Sequence, residues 1–333
     1  MRVWELAETN GIESLRQAER PDPSAGEGEV VLLMKAASLN YRDLLIAKGQ
    51  YPDLRLPLVP LSDGAGTVLS VGRNVSRVKP GDRVAGIFNQ NWITGESPRK
   101  ALALGGDRNG VLAQQIVLPQ EGVVRIPDGL SFEEAATLPC AGVTAWTALM
   151  VSGGLKPGET VLIQGTGGVS LFALQFAKMA GARTIVTSSS DRKLERVRSL
   201  GADAVINYRT TPDWDREALR LTGGLGVDHV IEVGGAETLS RSLGSVRPNG
   251  HIAVIGVLSG GTAQIPLFPM LAKQVRLQGI YVGSRSYFER MNEAIAQNTL
   301  KPVIDRTFSF GEAPDAFRYM ESGDHAGKIV LRF

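Results

Sequence analysis

The sequence predicts an α/β protein in which a doubly wound parallel sheet is embedded in a strand-rich, partly open β-barrel domain. Three observations carry that expectation. An apolar strand runs into glycines and then into an amphipathic helix across Val161-Leu-Ile-Gln-Gly-Thr-Gly-Gly-Val-Ser-Leu-Phe-Ala-Leu-Gln-Phe-Ala-Lys-Met-Ala-Gly-Ala182. After it, apolar runs alternate with helical patterns, the rhythm of successive βαβ units. Before it, short strands are separated by glycine and proline turns, as in antiparallel sheet.

A chain of 333 residues with 43% hydrophobic and 21% charged residues suits two globular domains. The 36 basic and 34 acidic residues leave a net charge of +2, far from the basic footprint of a nucleic-acid binder, so no nucleic-acid partner is expected. Met1 to Glu8 carries charges where a secretory signal has its apolar run, and no segment reaches the ~18 consecutive apolar residues of a membrane span. A cytoplasmic protein without a membrane partner is the expectation. The single cysteine, Cys140, excludes an intrachain disulfide and fits a reducing compartment.

In chain order, strands are expected at 29–35, 64–71, 82–88 and 114–118, with Lys79-Pro-Gly-Asp82 as a turn among them. Near Ser131 the rhythm changes. Ser131-Phe-Glu-Glu134 is a capping box that opens a helix, and Lys156-Pro-Gly-Glu159 turns the chain into a strand at 160–164. Strands near 183–187, 203–206, 227–232, 250–255 and 276–282 follow, which with 160–164 make a parallel sheet of six. A helix is expected around 288–297, and the terminal 327–333 reads as a strand that returns to the first domain. The expected domains are therefore 1–122 with 286–333, for the strand-rich part, and 123–285 for the nucleotide fold. Their sites are expected to face each other across a cleft.

The glycine turn reads as a dinucleotide cradle. Gly165 permits the tight turn off the strand, Thr166 follows it, and Gly167 lets backbone approach a pyrophosphate seated on the helix that starts near Gly168 and Val169. Ser170 stands where the third fingerprint glycine is usual. A strand–turn–helix with no ligand is the competing reading. Val233-Gly-Gly235 and Gly256-Val-Leu258 follow later strands on the same carboxyl edge, so Val233, Gly234, Gly256 and Val257 are expected to touch the cofactor. An NAD site of this kind places an acid about 20 residues beyond the glycines, on the ribose. Here the strand ends in Ser188, Ser189 and Ser190, followed by Arg192 and Lys193, donors and charge suited to a 2′-phosphate. NADP(H) is preferred over NAD(H), with Asp191 the main feature against it and a solvated helix face the alternative.

Several motifs in order resemble those of the medium-chain dehydrogenase/reductase superfamily. They are Leu39-Asn-Tyr-Arg-Asp-Leu-Leu45, Gly49-Gln-Tyr-Pro52, Pro57-Leu-Val-Pro-Leu-Ser-Asp-Gly-Ala-Gly66, Lys79-Pro-Gly-Asp-Arg-Val84, Ala136-Thr-Leu-Pro-Cys-Ala-Gly-Val-Thr-Ala-Trp146 and His325-Ala-Gly-Lys-Ile-Val330. The resemblance spans nearly the whole chain and implies a Rossmann sheet within a GroES-like catalytic domain, and a homodimer formed through the edge strand 275–281. It adds Thr144 and Lys328 to the cofactor contacts and makes Lys193 and Tyr208 the grip on the phosphate; Gly283, Ser284 and Arg285, by their place after the last strand of the sheet, are expected on the nicotinamide side.

Zinc alcohol dehydrogenases of this superfamily bind catalytic zinc through a cysteine, a histidine followed by glutamate, and a further cysteine or acid. The matching positions here resemble Asn40, Ser62 with Asp63, and Cys140. One thiolate without further suitable ligands does not make an open three-ligand site, and the four cysteines of the structural zinc lobe are absent, so no metal is expected. The chain is similar to the zinc-free branch that holds quinone oxidoreductases and enoyl reductases. Cys140 itself reads as a packing residue.

Without zinc, charge arriving with a hydride is best borne by a conjugated acceptor such as a quinone, enone or enoyl compound. Asn40, Tyr41 and Tyr51 are the candidate catalytic donors, with Tyr41 or a water as the proton source. Phe88 and Trp92, at the start of the long loop 89–110, are expected to line the substrate pocket with Arg285. The leading function is thus an NADPH-dependent, zinc-independent oxidoreductase acting on a small conjugated carbonyl compound. Two alternatives stand beside it: an alcohol dehydrogenase or aldehyde reductase, and an NADP(H)-binding protein without catalysis.

Overall fold

The computed structural model describes residues 1–52 and 54–333, which divide into two compact units, 1–143 with 283–333, and 144–282. The first unit begins with an antiparallel hairpin of β1 (Arg2–Leu6) and β2 (Leu15–Glu19). β3 (Glu29–Ser38) follows and is the hub of the unit. It pairs along its length with β4 (Asp63–Val71), which in turn pairs with β5 (Arg83–Gly86). β6 (Gln115–Pro119) adds to the first half of β3, and β7 (Val123–Arg125) pairs with β5. β3 is a ten-residue strand with most side chains buried, because neighbours cover both of its edges.

The second unit is the expected doubly wound sheet. β8 (Thr160–Gln164), β9 (Arg183–Ser188), β10 (Ala204–Asn207), β11 (Val227–Glu232), β12 (Val246–Val254) and β13 (Arg276–Gly279) lie in the order β10-β9-β8-β11-β12-β13, all parallel. Val161, Leu162, Ile163, Val230 and Ile231 are fully buried, as parallel strands covered on both faces require. The chain winds outward from β8 in one direction and from β11 in the other. The reversal of strand order therefore falls between β8 and β11, where such sheets place their ligands.

The chain returns to the first unit through the helix Arg285–Gln297, then β14 (Ile304–Ser309) and β15 (Lys328–Arg332). β15 pairs antiparallel with the end of β3, Val330 opposite Ser38, giving the sheet order β14-β15-β3-β4-β5-β7. That register brings Lys328 opposite the residues that follow β3. The segment 123–143, expected in the nucleotide fold, packs with the first unit: β7 extends its sheet and the helix Phe132–Ala135 lies on β3 and β4. Ser131 caps that helix as the capping box required. Among the described residues no helix is long and apolar enough to cross a membrane.

Candidate active site

In the second unit, β8 ends at Gln164 and Gly165 takes φ +70, a left-handed turn that an L side chain would strain. The helix Gly168–Met179 follows at once, and its N-cap Gly167 offers no side-chain cap to the first amides. No atom lies within 4 Å of where a Cβ on Gly167 would stand, so the approach to those amides is open. Ser170 serves in place of a third glycine by turning inward: its hydroxyl donates to the Gln164 carbonyl at 2.7 Å and locks helix to strand. These features fit a pyrophosphate on the helix N-terminus.

The neighbouring loop is held by a residue that the sequence reading passed over. Glu232, at the end of β11, is fully buried and accepts from Gln164 Nε2 (2.7 Å), the Gly234 and Gly235 amides (2.8 and 3.0 Å), Thr238 Oγ1 (2.6 Å) and Ser242 Oγ. It ties the β8 and β11 ends together and fixes Val233-Gly-Gly235. Gly256 completes the edge, since a Cβ there would come within 2.4 Å of the Val233 carbonyl. Val257 is half exposed beside it, and Thr144 and Thr166 are buried. Only the pattern of a strand ending in an acid before two glycines hinted at Glu232.

At the tip of β9, Ser188 is buried and Ser189 half-buried, and Ser190 caps the helix Asp191–Ser199 by accepting from the Lys193 amide. Part of the serine chemistry is thus spent on the turn. Asp191 is bonded too: its Oδ1 accepts from Asn207 Nδ2 at 2.7 Å, which draws the carboxylate toward β10. Tyr208 is exposed and follows β10, its amide bonded to the Ser188 carbonyl. Ser188, Ser189, Ser190, Lys193 and Tyr208 therefore gather at one corner of the sheet.

In the first unit, the residues after β3 and before β4 converge on a buried polar cluster. Lys328, 3% exposed, donates from Nζ to the Asn40 Oδ1 (2.6 Å) and to the Leu39 carbonyl (2.7 Å), with Asp63 Oδ2 at 3.7 Å. Asn40 Nδ2 lies 3.4 Å from Ser62 Oγ, which donates to Asp63 Oδ1 at 2.6 Å; the Cys140 amide donates to Asp63 Oδ2. Asp43 Oδ2 accepts from the Asn40 amide at 2.7 Å. Burial pushes the Asp63 carboxyl up against the pull of the Lys328 ammonium, and pushes Asp43 up to about 6 against that of Arg42. Desolvation, then Asp63, raises the half-buried Cys140 thiol, which suits packing rather than nucleophilic attack.

This cluster does not fit a zinc ion. Asn40 turns its only acceptor atom to an ammonium, Ser62 spends its proton on Asp63, and the buried Lys328 charge would repel a dication. Among the described residues no group of three or more His, Cys, Asp or Glu side chains is arranged to hold a metal ion.

Other expected site residues fall elsewhere. Phe88 is 2% exposed and Trp92 8%, so both are buried. The Arg42 guanidinium, which the sequence reading left aside, stands 4.7 Å from the Phe88 ring centre and 5.1 Å from that of Tyr51, and donates to the Leu104 carbonyl. Arg285 is bound to Glu121 and Glu289, and Ser284 caps the helix Arg285–Gln297; both, like Gly283, belong to the first unit. Lys328, expected on the cofactor, directs its ammonium into the Asn40 cluster. Tyr41 remains exposed beside Asn40, and Tyr51 is half-buried.

Known proteins agree with these two units. The alcohol dehydrogenase GroES-like domain matches residues 26–128 and the zinc-binding dehydrogenase family matches 168–297. A zinc-type alcohol dehydrogenase-like protein of Schizosaccharomyces pombe is 46% identical over 98% of this chain and 97% of its own. Solved structures also cover the whole chain. An NAD-dependent alcohol dehydrogenase has 35% identity and a TM-score of 0.93 over 100% of its chain. A quinone oxidoreductase of Pseudomonas syringae has 29% and 0.85 over 99%, and a mycobacterial protein complexed with NADPH has 28% and 0.86 over 100%. With both family models matched in order and the relatives named as oxidoreductases, the chain belongs to the medium-chain dehydrogenase/reductase superfamily and is an oxidoreductase.

Proposed function

We propose that this protein is an NADP(H)-preferring, zinc-independent oxidoreductase that reduces a small conjugated carbonyl compound, a quinone, enone or enoyl compound. The observation that carries the proposal is the Lys328 ammonium bonded to Asn40 inside the cluster where a zinc enzyme would need ligands. Gly165 to Val169 would hold the pyrophosphate; Ser189, Lys193 and Tyr208 the 2′-phosphate; and Thr144, Val233, Gly234, Gly256 and Val257 the rest of the dinucleotide. The engagement of Asp191 with Asn207 supports the phosphorylated cofactor, because the acid that follows the serine tip is turned to protein. When bound, the reduced nicotinamide supplies the hydride.

The acceptor oxygen gains negative charge, which conjugation spreads and the Asn40 amide N–H stabilises by donation. Tyr41, exposed at the start of its helix, or a water gives the proton. The 35% identity to an NAD-dependent alcohol dehydrogenase favours a second reading, NAD-linked oxidation of simple alcohols. A homodimer is supported by Leu267, Phe268 and Leu271, 67%, 81% and 72% exposed on a helix that leads into the edge strand β13. Fluorescence titration with NADPH and NADH, beside metal analysis of active protein, tests the central points. Tighter NADPH binding and substoichiometric zinc are expected; tighter NADH binding, or activity that tracks zinc, would decide for the second reading.

A further inference from the structure

Lys328 sits on β15, yet its ammonium reaches residues almost the whole chain away in sequence. An ammonium donates and never accepts. The Asn40 side chain must therefore turn its oxygen to Lys328 Nζ, at 2.6 Å, and its NH2 away from it. The polarity then runs one way through the cluster: Lys328 to Asn40, Asn40 to Ser62 Oγ at 3.4 Å, and Ser62 to Asp63 at 2.6 Å. Ser62 uses its single proton on Asp63, so it meets Asn40 as an acceptor, consistent with the same amide orientation. The Asn40 backbone is fixed by its N–H on Asp43 and its carbonyl accepting from the Asp43 amide, and its side chain turns its oxygen toward that amide in a capping box, the same orientation that Lys328 requires. The NH2 of the half-buried Asn40 carries two N–H bonds, and Ser62 Oγ, at 3.4 Å, is the acceptor within hydrogen-bond distance of it.

We infer that Lys328 is a positioning residue: it locks the Asn40 amide so that an N–H, and not the oxygen, is presented to the acceptor oxygen on which charge develops. This rests on the proposed role of Asn40 as donor. Were the lysine replaced by a neutral side chain, the amide could rotate by half a turn and offer a repulsive oxygen to the same charge. Nothing in this role calls for contact between the ammonium and a dinucleotide, so cofactor affinity and turnover separate.

The test is a double-mutant cycle in steady-state turnover with NADPH and a conjugated carbonyl acceptor, together with NADPH binding and thermal melts. Asn40→Ala and Lys328→Met are each expected to lower kcat by on the order of 10²-fold, the loss typical of one oxyanion donor. The double variant should fall no more than about threefold further, since both changes remove one interaction. NADPH affinity should stay within about twofold in Lys328→Met. Multiplicative losses in the double variant, or a Lys328→Met defect confined to NADPH binding, would overturn the assignment. So would failure of both Lys328→Met and Lys328→Gln to fold, which would make the lysine a structural residue. Full activity of Asn40→Ala would instead refute the donor role beneath the inference, and a wild-type protein inert to all conjugated acceptors would refute the proposed function.

Discussion

Acidification should weaken the second unit through a pair of buried histidines. His229 and His251 are opposite each other on β11 and β12, 4% and 2% exposed, with their Nδ1 atoms 3.4 Å apart. His229 Nε2 meets Glu159 at 3.0 Å and His251 Nε2 meets Ser152 Oγ at 3.3 Å, while Arg276 reaches the Ser152 and Gly153 carbonyls and Arg247 lies 3.8 Å from Glu159. Desolvation, then His229 and Arg276, pulls His251 down from its ordinary 6.5 to about 4. The folded value lies below the unfolded one, so the unfolded chain takes up the proton first. The stability that the neutral ring contributes is complete above 6.5 and is lost as pH falls toward 4. Between about pH 7.5 and about pH 5.5 that loss integrates to about 1.4 kcal/mol. Urea unfolding of the wild type and His251→Gln at both pH values reads it, because titrating groups out of contact with His251 cancel in the difference. The variant should lose about 1.4 kcal/mol less than the wild type. Equal losses in the two proteins would refute the reasoning.

Other substitutions bear on the nucleotide half. Gly256→Ala puts a methyl within 2.4 Å of the Val233 carbonyl, and should cost about 1–3 kcal/mol and weaken NADPH binding, read by thermal melts and titration. Glu232→Gln turns an NH2 toward a site filled with donors; a loss of about 1.5–3 kcal/mol in urea unfolding is expected. Lys193→Ala should raise KM for NADPH by on the order of 10–100-fold and leave KM for NADH almost unchanged, measured in parallel assays.

Local signals made the fold legible. The apolar run before Gly165, the capping box at Ser131 and the alternation of β9 to β12 are short-range patterns, and each formed as expected. β12 begins at Val246, earlier than its apolar stretch, because Val246 pairs with Val227 and the chain then bulges through Arg247 to Gly250 before His251 pairs with His229. The placement of 123–143 was hidden because a three-residue strand is recognisable only by its partner, β5. The same limit explains the site. Asn40, Ser62 and Asp63 were readable as a departure from zinc ligands, but the partner that organises them arrives from β15 through sheet register. Phe88 and Trp92 looked like pocket residues since they open a polar loop. Phe88 is stacked against Arg42, and Trp92 bonds its Nε1–H to the Gly95 carbonyl, contacts that sequence order does not display. Serines 188 and 190 invited one role where the turn demands two.

The most direct measurement is kcat/KM with NADPH for a panel of quinones, enones and enoyl thioesters against saturated aldehydes, on protein stripped of metal by chelation. Without a Lewis acid, and with the Lys328-held Asn40 amide as the stabilising donor, the conjugated acceptors should be reduced at least about tenfold more efficiently, a difference of about 1.4 kcal/mol in transition-state stabilisation. Saturated aldehydes reduced as well as or better than the conjugated compounds, or activity that returns only on adding zinc, would contradict the account.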